Sequence, residues 1–299
     1  MNITLAGGTG FLGGELEQYL TKKGHAVTIL TRKPKNDNHI YWDGSLDDDW
    51  TDQIKEVDVL INLCGKSVDC RYTEENKKEI IASRIRPTNA FHEAIQKGLI
   101  QPKIWLNASS ATIYTHAETV LMDEENGIIG DDFSMQVCKK WEKAFFLKSY
   151  ENTRQVALRT SIVLGKTGGA FSKLKPITKI GLGGKQGRGN QKVSWIHIDD
   201  FCRAVDFIIQ GESISGPINL TSPNPIDNRT FMKAIRATVN VPLGIPQPTW
   251  LLEFGAALIG TETELLLKSR NVFPKKLLES GFKFDFTRIE SCLQSLSAG

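Results

Sequence analysis

A glycine-rich turn near the start of the chain constrains the fold more than any other feature. The segment "ITLAGGTGFLGGEL" places Gly7, Gly10 and Gly13 as GxxGxxG between an apolar run that predicts a strand and an amphipathic run that predicts a helix. Gly7 permits the tight turn, Gly10 lets a pyrophosphate approach the backbone, and Gly13 lets the helix pack closely on the strand. The alternative is a glycine turn without a ligand. The strand–turn–helix context favours a dinucleotide site.

The rest of the first half alternates strand-like and helix-like segments. Apolar runs that predict strands occur at 2–7, 26–32, 57–65, 103–110 and 155–165, and the segments between them have helical periodicity. Strands that are apolar on both faces and alternate with helices are typical of a parallel sheet covered on both sides. We therefore expect an α/β fold, a Rossmann-type doubly wound parallel sheet with a smaller C-terminal substrate lobe.

The composition of the sequence changes after Gly165, where glycine, lysine and turn residues become frequent. We expect residues 1–165 to form the nucleotide-binding domain, with returning elements at about 193–222. Residues 166–299 would then form most of the substrate lobe.

The end of the second predicted strand indicates which dinucleotide binds. NAD-binding proteins place an acidic residue there to accept hydrogen bonds from the ribose hydroxyls. This chain has "TILTRKPK", with Arg32 and Lys33 following Thr31. A guanidinium is planar and permanently charged, so it suits the 2′-phosphate of NADP. A solvated basic loop is the alternative, and NADP is favoured over NAD.

Composition excludes several other classes of protein. A formal net charge of +3 over 299 residues gives no basic surface of the kind that nucleic-acid binding needs. No apolar run reaches the roughly 20 residues that span a bilayer. The five cysteines have no CxxC spacing, so reduced thiols and no metal site are expected. These features predict a cytoplasmic protein, a monomer or homodimer, that binds neither nucleic acid nor membrane.

Several motifs carry a more specific resemblance. They are "GGTGFLG" at 7–13, "LTRKP" at 30–34, "NLCGKSV" at 62–68, "RYTEENKKEIIASRIRPT" at 71–88, "VLGKTGGA" at 163–170 and "SWIHIDD" at 194–200. Together they resemble the extended and atypical short-chain dehydrogenase/reductase superfamily. The chain is most similar there to the NAD-dependent epimerase/dehydratase-like "epimerase family protein" subgroup. Residues 265–284 resemble the small C-terminal domain of that subgroup, which would cover about 247–296.

The resemblance implies a set of residues around NADP. Carried over position by position, it comprises Gly7, Gly10, Phe11, Leu12, Thr31, Arg32, Leu63, Cys64, Gly65, Glu79, Arg84 and Val163, with Ile162 beside Val163. Glu79 and Arg84 are five residues apart on a predicted helix, a spacing that does not align them on one face. A direct pair between these two is therefore not expected, and an exposed charged helix face is their alternative role.

The same resemblance raises a problem for catalysis. "SSATIY" makes Ser110 the serine of the superfamily's active site, unless Ser109 and Ser110 are only polar groups at a strand end. The following helix should carry a tyrosine and, one turn later, a lysine, and Ser134 and Cys138 occupy these places. Shifting the register by one or two residues does not restore the pair. A serine hydroxyl lacks the acidity of that tyrosine. Tyr114 is the candidate acid, with pocket lining as its alternative role.

Three further features remain open. "HIDD" at 197–200 could suggest a metal, but a strand leading to a helix capped by Asp199 or Asp200 is expected. His25, His39, His92 and His116 are expected on the surface. Basic residues in the glycine-rich segment are either solvated or mark an anionic substrate; they are Lys173, Lys175, Lys179, Lys185, Arg188 and Lys192.

Two functions are consistent with these observations. The first is an NADP-dependent oxidoreductase or epimerase-like protein that acts on a small molecule, anionic in one interpretation. The retained Ser110 and the substrate lobe favour it. The second is an NADP-sensing regulatory or binding protein without turnover, which the missing tyrosine and lysine favour. We place the first ahead of the second.

Overall fold

The computed structural model describes residues 1–47, 49–253 and 267–298. Part of the C-terminal domain expected at 247–296, and the start of the segment 265–284, lie outside these residues. Over the described ranges, no helix combines the length and the apolar character that crossing a bilayer requires.

A seven-stranded sheet forms the centre of the molecule. Its strands are β1 (Asn2–Ala6), β2 (Ala26–Thr31), β3 (His39–Tyr41), β4 (Val59–Asn62), β5 (Ile104–Ser110), β6 (Arg154–Thr160) and β10 (Gly216–Leu220). They lie in the order β10-β6-β5-β4-β1-β2-β3, and every neighbouring pair is parallel. The strand order reverses beside β1, between β1 and β4. In parallel sheets of this order, ligands bind in the crevice at that point, beyond the carboxyl ends of the strands.

Helices cover both faces of this sheet. They are α1 (Phe11–Lys22), α2 (Trp50–Gln53), α3 (Glu74–Gln96), α4 (Phe133–Phe145), α5 (Gly169–Ile177), α6 (Ile198–Gln210), α7 (Asn228–Thr238), α8 (Lys275–Glu279) and α9 (Ile289–Ser297). One apolar core contains Leu5, Ile29, Leu106 and Leu158 together with the inner sides of α1 and α6. The core on the opposite side is aromatic and includes Trp42, Trp50, Phe91 and Trp105. The expected doubly wound Rossmann-type fold is confirmed.

The segment expected as one strand at 155–165 is divided in two. β6 belongs to the main sheet, whereas β7 (Ile162–Leu164) pairs with β9 (Trp195–His197) outside it. The chain changes direction at Ser161, whose N–H and hydroxyl both donate to the carbonyl of Leu220 at the end of β10. These bonds end the main sheet at that edge and direct β7 toward the smaller lobe.

The smaller lobe surrounds this second strand pair. Of the elements expected to return at 193–222, β10 joins the main sheet, while β8 (Lys192–Val193) pairs antiparallel with β11 (Ile226–Asp227). The C-terminal residues pack back onto the same core, where Leu277, Cys292 and Leu293 are fully buried.

Candidate cofactor and substrate site

The turn after β1 has the geometry that its glycines predict. Gly7 adopts a φ of +73°, and its N–H donates to the carbonyl oxygen of Leu30 at 3.1 Å. A Cβ on Gly7 would lie 3.0 Å from the backbone nitrogen of Cys64. Both the backbone conformation and the close approach of the β4 end therefore favour glycine at position 7.

The N-terminus of α1 is open toward the crevice. Gly10 occupies the N-cap position without a side-chain hydrogen bond, and a Cβ placed on it would meet no atom within 4 Å. A Cβ on Gly13, by contrast, would lie 2.3 Å from the carbonyl oxygen of Gly8, so close packing requires glycine there. The exposed amides of a helix N-terminus attract anions. The space beside Gly10 therefore fits a pyrophosphate.

A cavity of about 660 Å³ extends from this helix N-terminus along the ends of β1, β2 and β4. The residues expected from the sequence that line it are Gly7, Gly10, Thr31, Arg32, Leu63, Cys64, Gly65 and Glu79. It is also lined by residues that sequence reasoning missed, namely Thr9, Leu30, Trp42, Asp43, Gly44, Lys66, Ala82, Ser83, Arg86 and Pro87. The remaining expected residues, Phe11, Leu12, Arg84 and Val163, lie outside this lining.

Asp43 and Arg86 form part of the wall of the cavity. The Asp43 carboxylate accepts from the Ser45 N–H and hydroxyl, at 2.9 and 2.6 Å, and from the Arg86 guanidinium at 2.7 Å. The Ser45 hydrogen bonds are the largest cause of a lowered pKa at Asp43, and Arg86 adds to it. This wall therefore presents an ionised carboxylate. The "WDG" triplet at 42–44, directly after a short apolar run, was the available sequence signal.

Arg32 follows Thr31 directly after β2, next to the segment that begins at Trp42. Its side chain is exposed and lines the cavity. It also acts electrostatically on the thiol of Cys64, although burial dominates there and raises the pKa of that thiol to about 12. Cys64 is therefore a neutral wall of the cavity, and Arg32 supplies positive charge at its mouth.

Phe11 and Val163 lie near the loop that follows β7. A Cβ on Gly165 would lie 2.4 Å from Cζ of Phe11, and one on Gly168 would lie 2.3 Å from its Cδ2. A Cβ on Gly169 would lie 2.2 Å from the carbonyl oxygen of Val163. The "GKTGG" glycines thus let this loop lie directly on the Phe11 ring at the start of α1.

Glu79 and Arg84 have separate partners, as their spacing predicts. Glu79 forms a salt bridge with Lys66. Arg84 Nη1 donates to the carbonyl oxygens of Lys66 and Ile80, at 3.0 and 2.8 Å. A Cβ on Gly65 would lie 3.0 Å from Cζ of Arg84, closer than to Nη2 or Nε, so it would meet the face of the guanidinium. The Arg84 guanidinium therefore packs on a glycine that lines the cavity.

The residues expected to be catalytic lie at the end of β5 and on α4, outside the lining of the cavity. The Ser110 hydroxyl is half-buried, lies 3.0 Å from the Thr112 hydroxyl and accepts from the Thr112 N–H at 3.2 Å. Ser134 and Cys138 are both buried on α4. Burial raises the pKa of the Cys138 thiol to about 12, so it is neutral at physiological pH. Neither side chain reproduces the acid or the cation of a tyrosine–lysine pair.

Tyr114 belongs to a buried polar network. Its hydroxyl donates to Asn219 Oδ1 at 2.9 Å and accepts from Arg159 Nη1 at 2.8 Å. Arg159 also forms a two-point ion pair with Glu142, which accepts from the Ser109 hydroxyl at 2.6 Å. Burial is the largest influence on Tyr114 and raises its pKa. Since its proton is already donated to Asn219, these contacts favour a structural role over the acid role expected from the sequence.

The "HIDD" segment and one other expectation need correction. The N-cap of α6 is His197, whose Nδ1 accepts from the Asp199 N–H at 3.0 Å, because the helix begins two or three residues earlier than expected. Asp200 instead accepts from Arg203 and from the N–H groups of residues 285 and 286. His92 is buried between α3 and α4, and not on the surface. In the part of the chain that the structure describes, no cluster of three or more potential metal ligands occurs.

The basic residues of the glycine-rich segment have varied surroundings. Lys173 on α5 pairs with Asp69 in the loop after β4 at 2.6 Å, and so connects α5 with that loop. Lys175 lies 5.6 Å from the centre of the Phe171 ring. Both lysines therefore have partners within the protein, and neither of them supports the prediction of an anionic substrate.

Comparisons with known proteins agree with this geometry. The model of the NAD dependent epimerase/dehydratase family matches residues 3–220, and that of a domain of unknown function, DUF1731, matches residues 247–296. The chain is 34% identical over 305 residues to the epimerase family protein YfhF of Bacillus subtilis, covering 100% of this chain and 98% of that protein. It is 30% identical over 302 residues to the epimerase family protein SDR39U1 of Homo sapiens, covering 100% of both.

Solved structures give the same result. The crystal structure of human SDR39U1 (isoform 2) with NADPH superposes with a TM-score of 0.88 at 29% identity, covering 99% of each chain. The UDP-N-acetylglucosamine 4-epimerase from Bacillus cereus, at 18% identity and a TM-score of 0.77, covers 99% of this chain and 98% of that one and shares the fold. The family match over most of the chain, the full-length relatives and the glycine turn at the N-terminus of α1 lead to one conclusion: this chain belongs to the NAD dependent epimerase/dehydratase family.

Proposed function

We propose that this protein binds NADP(H) in the crevice between β1 and β4. One observation carries the proposal, namely the cavity that joins the uncapped N-terminus of α1 at Gly10 to Arg32 at the end of β2. The helix N-terminus suits the pyrophosphate, and the Arg32 guanidinium suits the 2′-phosphate that distinguishes NADP from NAD. The related human protein crystallised with NADPH adds support from a homologue.

The other cofactor contacts follow from the walls of the cavity. The apolar and small side chains Leu63, Cys64 and Gly65 leave room for the adenosine half beside the end of β4. Asp43 presents a carboxylate that can accept from the amino group of an adenine. The Arg84 guanidinium, which packs on Gly65, would supply positive charge behind this wall of the cavity.

The reaction class that fits best is reduction of, or epimerisation through, a carbonyl of a small substrate. NADP supplies hydride transfer when it is bound. The residues of this chain would position the reactants: Ser110, at the end of β5, would donate its hydroxyl to the carbonyl oxygen. Phe11 and Val163 would close the nicotinamide end from the side of the β7 loop.

The second candidate is an NADP-sensing protein without turnover. The observation that favours it is the burial of Ser134 and Cys138, where relatives in the wider superfamily carry tyrosine and lysine. We place this candidate second because the chain retains Ser110 at the end of β5.

The test is a titration of the purified protein with NADPH and NADH, followed by the fluorescence of the reduced nicotinamide. We expect NADPH to bind much more tightly than NADH, and NADPH oxidation in the presence of some members of a panel of aldehydes, ketones and nucleotide sugars. Equal affinity for the two cofactors would contradict the assignment of Arg32. Tight binding without oxidation of NADPH by any member of the panel would favour the sensing function.

A further inference from the structure

The smaller lobe exposes large apolar side chains on two short segments, residues 177–182 and 243–250. The most exposed of them are Leu243 at 82%, Ile180 at 73% and Trp250 at 69%. Single exposed apolar residues are ordinary on a protein surface, but a contiguous group of them marks an interaction site. We call this group the apolar patch, and its members are Ile177, Ile180, Leu182, Leu243, Ile245 and Trp250.

Backbone hydrogen bonds hold the two segments side by side. The Ile245 N–H donates to the carbonyl oxygen of Gly181 at 2.9 Å, and the Gln247 N–H donates to that of Lys185 at 2.9 Å. A Cβ on Gly184 would lie 2.2 Å from the carbonyl oxygen of Ile245, so this close approach requires glycine. The glycine-rich segment therefore brings exposed apolar residues that are distant in sequence onto one surface.

The charged residues of the two segments and their flanks have one sign. Residues 166–198 contain seven Lys and Arg residues and no Asp or Glu, and residues 228–252 contain three and none. Lys179 precedes Ile180, and Lys185 is joined to the second segment through its carbonyl oxygen. Arg236 donates to the carbonyl oxygen of Gly183 at 2.7 Å. Cations therefore lie beside the apolar patch.

Little of this positive charge is neutralised by the protein itself. Within the described ranges, Lys179, Lys185 and Lys233 form no ion pair. Two carboxylates border the segments: Glu118 accepts from the Asn190 amide at 2.8 Å, and Asp227 caps α7. The surface around the apolar patch is therefore cationic, and it fits a partner that is anionic as well as apolar.

An anionic lipid surface has both properties. It attracts each basic side chain that comes near it, and Trp, Leu and Ile side chains enter the boundary between its headgroups and acyl chains. The side chains of Leu243, Ile180 and Trp250 project from the surface, as their exposed fractions show. Projecting side chains suit a deformable lipid layer, whereas a helical partner is bound in a groove. A second copy of the chain would bring two cationic surfaces together, so repulsion opposes it.

We propose that the apolar patch and the basic residues beside it dock this protein on an anionic membrane surface. The apolar side chains would enter the headgroup boundary, and Lys179 and Lys185 would lie beside the lipid phosphates. The sequence predicted no membrane contact because no apolar run is long enough to cross a bilayer, but docking on a surface needs no such run. The inference goes beyond the proposed function and does not depend on it.

Trp250 reports on this docking without a label, because the other five tryptophans are buried; they are Trp42, Trp50, Trp105, Trp141 and Trp195. The test mixes the full chain with vesicles of phosphatidylcholine alone, or of phosphatidylcholine and phosphatidylglycerol in equal parts. We expect the protein to sediment with the anionic vesicles only. The emission of Trp250 should then shift to the blue and be quenched by lipids with brominated acyl chains. Added salt should weaken the binding, because it screens the cations.

Matched variants distinguish the apolar and the charged contributions. Leu243→Gln combined with Ile180→Gln should weaken binding to the anionic vesicles by at least about 10-fold. Leu147→Gln is the control, because Leu147 is also exposed, at 64%, but follows α4 and lies outside the patch. Lys179→Gln and Lys185→Gln should each weaken binding by about 5-fold, and Lys55→Gln, at another surface site, should not. Circular dichroism should show the same fold in all variants.

Three results would overturn the proposal. The first is a protein that does not sediment with the anionic vesicles. The second is sedimentation without any change in Trp250 emission, which would show adsorption by charge alone. The third is a blue shift caused by a synthetic helical peptide with Glu on one face and Leu on the other, in a protein that ignores vesicles; the patch would then bind proteins. Failure to bind NADPH would contradict only the proposed function, so the two failures are distinguishable.

Discussion

The buried ion pair of Arg159 and Glu142 allows a quantitative prediction about stability. Both side chains are nearly inaccessible, with exposed fractions of 8% and 11%. Arg159 donates to both oxygens of Glu142, at 2.8 and 2.7 Å, and to the Tyr114 hydroxyl at 2.8 Å. Arg159→Met removes these three bonds and leaves in the interior a carboxylate that keeps its hydrogen bond from the Ser109 hydroxyl. Removing one partner of such a pair costs about 3–5 kcal/mol.

The assay is equilibrium unfolding in urea, followed by tryptophan fluorescence and circular dichroism. For a domain whose unfolding free energy is about 5–15 kcal/mol, a loss of this size lowers the urea midpoint strongly. Lys55→Met is the control, because Lys55 pairs with Asp52 at the surface, where both side chains are more than half exposed. Such a pair contributes at most about 1 kcal/mol, so the control should unfold close to the wild type.

The double variant Arg159→Met with Glu142→Leu distinguishes the energy of the ion pair from the energy of the packing around it. An apolar replacement of both partners is often close to neutral, so the double variant should be more stable than Arg159→Met alone. We expect an interaction energy of about 1–3 kcal/mol from the double-mutant cycle. A cost below about 1 kcal/mol for Arg159→Met, or additive effects of the two changes, would refute the reasoning.

Three further predictions test other parts of the molecule. Arg32→Ala should weaken NADPH binding by about 5- to 150-fold, which corresponds to about 1–3 kcal/mol, and leave NADH binding unchanged; a similar loss for both cofactors in fluorescence titrations would argue against a 2′-phosphate contact. Gly10→Val should abolish cofactor binding at an unchanged circular dichroism spectrum, because its side chain would fill the space beside α1; retained affinity would place the pyrophosphate elsewhere. His92 and His197 have pKa values lowered mainly by burial, so the unfolded chain binds protons more readily. Stability should therefore be full above the ordinary value near 6.5 and fall as the pH drops below it; a urea midpoint equal at pH 7.5 and 5.5 would contradict this.

The strands of the central sheet could be predicted because the pattern that identifies each strand lies within a few neighbouring residues. Apolar runs that alternate with amphipathic ones identify five of the strands, and the glycine spacing at 7–13 locates the turn that the structure confirms. The short strand β3 and the "WDG" triplet after it were missed, because three residues give too little periodicity to distinguish a strand from a loop. Their place in the cavity depends on parallel pairing with β2, which brings Thr31 opposite Tyr41.

The polar network around Tyr114 could not be predicted, because its partners are distant in sequence. Tyr114 and Asn219 are separated by 105 positions, and each is an ordinary residue in its own segment. Arg159 was the one available signal. A charged residue in the middle of the apolar run "QVALRTS" is almost never buried without a partner. The sequence could therefore show that a counter-charge exists, but only the fold identifies it as Glu142.

The positions on α4 that lack the tyrosine and the lysine show the same limit of prediction from sequence, here for function. The sequence alone establishes that α4 carries Ser134 and Cys138, because those places are counted along one helix. It does not establish that the chemistry is lost, since a proton donor is defined by its position in space and not by its position in the chain. Residues distant in sequence do reach α4 in the fold: Tyr72 packs on Phe133, and Arg84 lies over the ring of Trp141. Whether the protein catalyses a reaction therefore depends on which side chains the fold brings together, and not only on what α4 lacks.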